Sequence, residues 1–117
     1  MVHQLRIYEI FESNKSAFHA RFRDHAARIM RHYGFRIVAM WEAKFGARTE
    51  FVYLLEWRDE NSKTAAWAAF MKDEEWADIK RTTSAQFGDL VGDIQDRTLN
   101  ATDYSSTFAQ SQQVADH

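Results

Sequence analysis

Two runs, Phe35-Arg-Ile-Val-Ala-Met-Trp41 and Phe51-Val-Tyr-Leu-Leu-Glu-Trp57, are almost unbroken in apolar residues and flank a turn that contains Gly46. Short apolar runs rich in β-branched and aromatic residues on either side of a glycine turn predict two paired strands. An antiparallel sheet with one face in water alternates apolar and polar residues, whereas these runs are apolar at positions of both parities. Both faces of the sheet therefore need a cover. A chain of 117 residues builds one core and has too few helices to cover two faces. A second copy supplies the missing cover most simply, since two-fold dimers are the commonest oligomers.

The rest of the chain arranges itself around this hairpin. Val2 to Phe11 alternates, with Leu5, Ile7 and Phe11 on one side and Arg6, Tyr8 and Ile10 on the other, and ends at Glu12-Ser13-Asn14. From Lys15 the period becomes helical through Phe18, Phe22, Ala26, Ile29 and Tyr33, with Ser13 or Asn14 placed to cap and Gly34 placed to stop. Asn61 or Ser62 is placed to cap a short helix holding Ala65, Ala66, Trp67, Ala68, Ala69 and Phe70. A further helix restarts at Asp73, carries Trp76, Ile79, Thr83 and Phe87 along one face, and closes at Gly88. A last strand is expected from about Leu90 to Thr102. The order β-α-β-β-α-β is that of a ferredoxin-like α+β sheet with helices on one face. One domain over 1–105 and a polar tail without period over 106–117 complete the expected organisation.

Composition removes several functional classes. The chain has no cysteine, so disulfides, thiolate catalysis and Cys-held metal centres are out. No apolar stretch is long enough for a transmembrane helix, and the polar start Met-Val-His-Gln-Leu-Arg is unlike a signal peptide, so the cytoplasm is the expected location and no membrane the expected partner. A net charge of -2 exerts no general pull on nucleic acid. The charge is nonetheless uneven. Lys15 to Arg36 holds six basic residues against Asp24, and Asp73 to Asp96 holds seven acids against Lys80 and Arg81, which reads as two solvated faces or as steering of an anionic ligand. No glycine-rich phosphate loop, no Gly-x-Ser-x-Gly elbow and no His-Glu-x-x-His pattern occurs. An RNA-recognition module shares the element order but needs a basic, glycine-led aromatic strand, which Phe51 to Glu56 is not.

Chemistry rests on a few residues. His25, three after Phe22 and four before Ile29, is expected on the sheet-facing border of the first helix, where a partly desolvated imidazole works as general acid or base. The structural alternative is a border histidine bonded to a carbonyl or water. His32 stands roughly 10 Å from it along the helix, too far for a shared metal, and His19 fits no better; no metal is expected. Arg6 and Tyr8 share one face of the first strand, and with Tyr53 they could steady a ligand carboxylate or enolate. Trp41, Trp67, Phe70 and Trp76 are either core or the walls of a pocket, and the alanines around Trp67 leave volume suited to a flat aromatic ligand.

Four segments in order, Leu5-Arg6-Ile7-Tyr8, the Gly34-Phe35 step into a strand ending at Trp41, Asp73-Glu74-Glu75-Trp76, and Leu99-Asn-Ala-Thr102-Asp-Tyr104-Ser105, resemble the NIPSNAP family over roughly Val2 to Ser105. The resemblance implies the dimeric α/β-barrel superfamily: a homodimer whose two sheets face each other, with a pocket in each subunit between sheet and helices. It leaves the reaction open, because that superfamily includes cofactor-free monooxygenases, isomerases, cyclases, haem enzymes and proteins without demonstrated catalysis. The expectation is a small enzyme without cofactor that acts on an aromatic or polyketide-like metabolite of secondary metabolism. In it His25 moves a proton, Tyr8, Tyr53 and Arg6 stabilise an enolate, and Trp41, Tyr53, Trp67, Phe70 and Trp76 hold the ring. The alternative is a non-catalytic ligand-binding or protein-interaction dimer.

Overall fold

The computed structural model describes residues 1–106; apart from Ser106, the tail expected over 106–117 lies outside them. Strands β1 (Val2–Ile10), β2 (Arg36–Phe45), β3 (Arg48–Trp57) and β4 (Val91–Leu99) form one antiparallel sheet in the order β2-β3-β1-β4. This is the expected ferredoxin-like arrangement. Helices α1 (Lys15–Arg21) and α2 (Ala27–His32), the intervening π-helical turn Phe22–Ala26, α3 (Glu60–Met71) and α4 (Glu74–Phe87) complete the chain. No helix among the described residues is long and apolar enough to cross a membrane.

The hairpin is longer than its apolar runs. Both strands extend four residues or so past Trp41 and before Phe51 to a tight turn at Gly46, whose φ of 61° lies where a side chain is disfavoured. Burial along β3 alternates strictly: Thr49, Phe51, Tyr53, Leu55 and Trp57 are buried, while Glu50, Val52, Leu54 and Glu56 are only half-buried. Cross-strand neighbours share a face, so register places Gln4, Arg6, Tyr8 and Ile10 under the helices with the buried half of β3, and Leu5, Ile7 and Trp41 on the open face with Val52 and Leu54. The core is aromatic: Phe18, Phe22, Phe51 and Tyr53 form one cluster, and Phe35, Trp57, Trp67, Phe70 and Trp76 another.

Local differences from the sequence reading have physical causes. The first helix is not one regular rod, because the π turn at Phe22–Ala26 inserts extra backbone and so brings both Ala26 and Ala27 into the core. Asn14 sits at the α1 N-cap position without capping; its amide instead donates to the Phe87 and Asp89 carbonyls and ties the start of α1 to the end of α4. The cap of α3 is Asp59, which accepts from the Ser62 amide, rather than Asn61 or Ser62. Asp73 caps α4 through the Trp76 amide, and its second oxygen accepts the Tyr33 hydroxyl at 2.6 Å. β4 stops at Leu99, which pairs with His3, three residues before Thr102.

Candidate active site

A cavity of about 180 Å³ lies between the sheet and the helices. The sheet contributes Arg6 and Tyr8 from β1 with Val91 and Ile94 from β4; the first helix contributes Arg21, Phe22, Ala26 and Met30, α3 contributes Trp67 and Phe70, and α4 contributes Trp76 and Lys80. Arg6 and Tyr8 emerge side by side because alternate residues of a strand share a face. Pairing then sets Tyr53 of β3 and Asp96 of β4 on either side of Arg6.

These polar groups form one chain of hydrogen bonds. Arg6 Nη1 donates to Asp96 at 2.9 Å and Nη2 to the Tyr8 hydroxyl at 3.2 Å. The Tyr8 and Tyr53 hydroxyls stand 2.6 Å apart. The Arg6 guanidinium lies 4.5 Å from the Trp67 ring, close enough for cation–π attraction. Beneath them Gln4, 2 % exposed, accepts both the Trp57 and the Trp67 indole N–H at 2.9 and 2.8 Å and donates to both Asp96 oxygens. Gln4 thereby holds the cavity wall (Trp67) and the counter-ion of Arg6 (Asp96) in register.

Electrostatics favour a neutral Tyr53 phenol and a charged Arg6 guanidinium. Burial, reinforced by Tyr8 and only partly opposed by Arg6, pushes the Tyr53 phenol well above its ordinary range, so Tyr53 stays neutral. Desolvation works against the Arg6 charge, but the Tyr8 and Tyr53 oxygens outweigh it and hold the guanidinium above its ordinary value. Either hydroxyl can donate in this pair; in the arrangement where Tyr53 donates, the Tyr8 oxygen accepts from both Tyr53 and Arg6, and the Tyr8 O–H is left to serve the cavity. A phenol polarised in this way suits an oxygen that gains negative charge during a reaction.

Of the sequence-derived candidates, Arg6, Tyr8, Trp67, Phe70 and Trp76 line this cavity, and Tyr53 stands behind Tyr8, completely buried. Trp41 does not join them: it is 47 % exposed on the open face of the sheet, opposite Val52. His25 lines a different groove, between the first helix and α4, with Arg21, Asp78, Ile79 and Phe87, and its Nδ1 faces Arg28. The ring thus points to α4 rather than along the sheet, because the π turn rotates this stretch relative to the regular spacing assumed from Phe22 to Ile29. His19 approaches Glu42 on β2, and no group of three His, Asp or Glu side chains able to hold a metal occurs among the described residues. The alanines of α3 do not form the void; the small residue lining it is Ala26 of the π turn.

Gln4, Asp96, Arg21 and Lys80 are the site residues that sequence reasoning passed over. Gln4 was legible as the next residue of the Arg6–Tyr8 parity. Asp96 required the β1–β4 register, and Arg21 and Lys80 required the packing of two helices over the sheet.

Comparison with known proteins places this geometry. The NIPSNAP family model matches residues 3–106. An uncharacterized NIPSNAP domain protein from Burkholderia xenovorans is 16 % identical over 90 % of this chain and 98 % of its own, with a TM-score of 0.75. A NIPSNAP family protein from Agrobacterium tumefaciens is 15 % identical over 89 % and 95 %, with a TM-score of 0.76. A monooxygenase from Streptomyces coelicolor in complex with the ligand nanaomycin D is 12 % identical over 86 % and 87 %, with a TM-score of 0.56. At such identities the structural likeness is one of fold. Among curated proteins, no sequence matches.

Proposed function

For this chain, which belongs to the NIPSNAP family, we propose a small enzyme that needs no cofactor and acts on an aromatic metabolite held between sheet and helices. The observation that carries this reading is the Arg6–Tyr8–Tyr53 chain of hydrogen bonds opening into a cavity walled by Trp67, Phe70 and Trp76. The indoles and Phe70 grip a planar ring. Tyr8 donates a hydrogen bond to a substrate oxygen as negative charge develops there in an enolisation, a water in the cavity takes the carbon-bound proton, and the Arg6 cation beside Tyr8 favours the charge on oxygen. Stabilisation of that oxygen is assigned to Tyr8, and His25 faces the other groove. The monooxygenase with bound nanaomycin D shares the fold and supports a small-molecule pocket in it.

The test is turnover of a panel of polyhydroxylated aromatic compounds by wild type and Tyr8→Phe. Removing one hydroxyl that acts in the transition state lowers kcat by roughly 100-fold; equal rates in an active wild type refute the assignment. One observation favours the non-catalytic alternative. No carboxylate or imidazole is among the side chains lining the cavity, so a ligand-binding protein that holds its ligand unchanged uses the same walls, and tight binding without turnover across the panel selects that reading.

The proposal includes a homodimer. Leu5, Ile7, Val52 and Leu54 are half-buried and Trp41 is half-exposed on the face that the helices leave open, and a second sheet laid against them would remove that apolar surface from water. Sedimentation at micromolar concentration should return twice the mass of the chain, and Leu54→Arg should halve it. A wild-type monomer refutes the dimer.

A further inference from the structure

We propose that the ligand of this cavity is a single-ring aromatic acid whose carboxylate is received by Arg21 and Lys80, one cation on each of the two helices that roof the site. The inference rests on the reading of the cavity as the substrate site and adds the ligand's charge and size.

Three cationic side chains, Arg6, Arg21 and Lys80, line the cavity and no anionic one does. Arg6 is answered by Asp96. Arg21 and Lys80 form no ion pair and no side-chain hydrogen bond among the described residues, although both are partly buried. Carboxylates are plentiful nearby, since α4 begins Glu74-Glu75 and also carries Asp78, yet Glu75 pairs with Arg28 and Asp78 with Arg81. The helix therefore keeps Lys80 apart from its own acids. Both unpaired cations lie against one aromatic ring, Arg21 at 5.5 Å and Lys80 at 5.8 Å from the Trp76 centroid. Burial pulls the Arg21 guanidinium below its ordinary value, with Tyr8 opposing, which marks the desolvation that its charge bears without a counter-ion.

Holding a cation out of water without an anion is costly, and a bound carboxylate relieves that cost at Arg21 while Lys80 stands on the same ring to share it. The same geometry without a ligand amounts to two long side chains covering an indole with their stems, and the experiment separates the two. Size narrows the class. About 180 Å³ lies below the roughly 300–1,000 Å³ of pockets for drug-sized ligands, which favours a small ligand such as one ring with its substituents. A ring hydroxyl or carbonyl then meets Tyr8 and Arg6 from the sheet side while the carboxylate meets Arg21 and Lys80 from the helix side.

The test titrates the full chain with 2-hydroxybenzoate, 4-hydroxybenzoate and their uncharged amides, following indole fluorescence and calorimetric heat, in wild type and in the Arg21→Gln/Lys80→Gln double variant. Thermal unfolding of the unliganded variant checks that it folds. The expected result is that at least one acid binds ten-fold or more tightly than its amide, and that the double variant loses that preference. Acid and amide binding alike, or a preference that survives in the folded double variant, overturns the inference and leaves the cavity as a substrate site for neutral aromatics. Failure of every acid and amide to bind overturns the inference and the reading beneath it together.

Discussion

Replacing Gln4 by Leu should destabilise the fold far more than the loss of one polar side chain suggests. Its Oε1 is the shared acceptor of two indole N–H groups, Trp57 and Trp67, at 2.9 and 2.8 Å. Trp57 is 3 % exposed, so water cannot replace the lost partner, and a buried donor left unsatisfied costs about 1–3 kcal/mol. Trp67 is partly exposed and recovers some of its loss, adding about 1 kcal/mol on the same scale. Leucine matches the volume closely, so no large cavity term enters. The total is about 2–4 kcal/mol against a typical domain stability of about 5–15 kcal/mol. Urea unfolding at fixed protein concentration, read by far-ultraviolet circular dichroism, should show a lower midpoint with an unchanged slope. Gln4→Glu supplies the control. Its side chain still accepts both indoles but meets the Asp96 carboxylate, so its deficit should narrow on acidification as the new carboxyl gains a proton to donate. A Gln4→Leu protein within 1 kcal/mol of wild type would refute the argument that this acceptor organises the two tryptophans.

Three further outcomes follow from named contacts. Asp73→Ala removes both the α4 cap and the acceptor of the Tyr33 hydroxyl, and should lower the melting temperature by several degrees, whereas Asp73→Asn, which keeps an acceptor, should recover most of it. Glu12 is held at a pKa of about 2 against an ordinary 4.5, first by its hydrogen bond with Lys44 and then by Thr49; because its folded value is depressed, its contribution is whole above pH 4.5 and lost as pH falls toward 2, so the urea midpoint should decline across that window with a shallower slope in Glu12→Gln. The contact is exposed, so added salt should reduce the difference. His25→Ala should leave turnover within about two-fold of wild type, since the imidazole lies outside the cavity; a loss on the ~100-fold scale of general acid–base catalysis would move the reacting centre to the groove between the first helix and α4.

The amphipathic patterns of β1, the first helix and α4, the hairpin around Gly46 and the stop at Gly34 are local properties, carried by side-chain periodicity and by backbone conformations that glycine tolerates. They were legible in the sequence, as was the shared parity of Arg6 and Tyr8, because a strand cannot place i and i+2 on opposite faces. Pairing distance is not local. Asp96 meets Arg6 across 90 positions only because β4 returns to the free edge of β1, and Arg21 meets Trp76 only because two helices settle over the same stretch of sheet. His25 shows where periodicity misleads: its spacing from Phe22 and Ile29 assumes 3.6 residues per turn, and the π turn at Phe22–Ala26 changes that rotation. Local periodicity specifies which faces are apolar and which polar residues share them. Which of those faces enclose a cavity, and which charges within it lack a partner, is set by packing, since both depend on contacts between segments far apart in the chain.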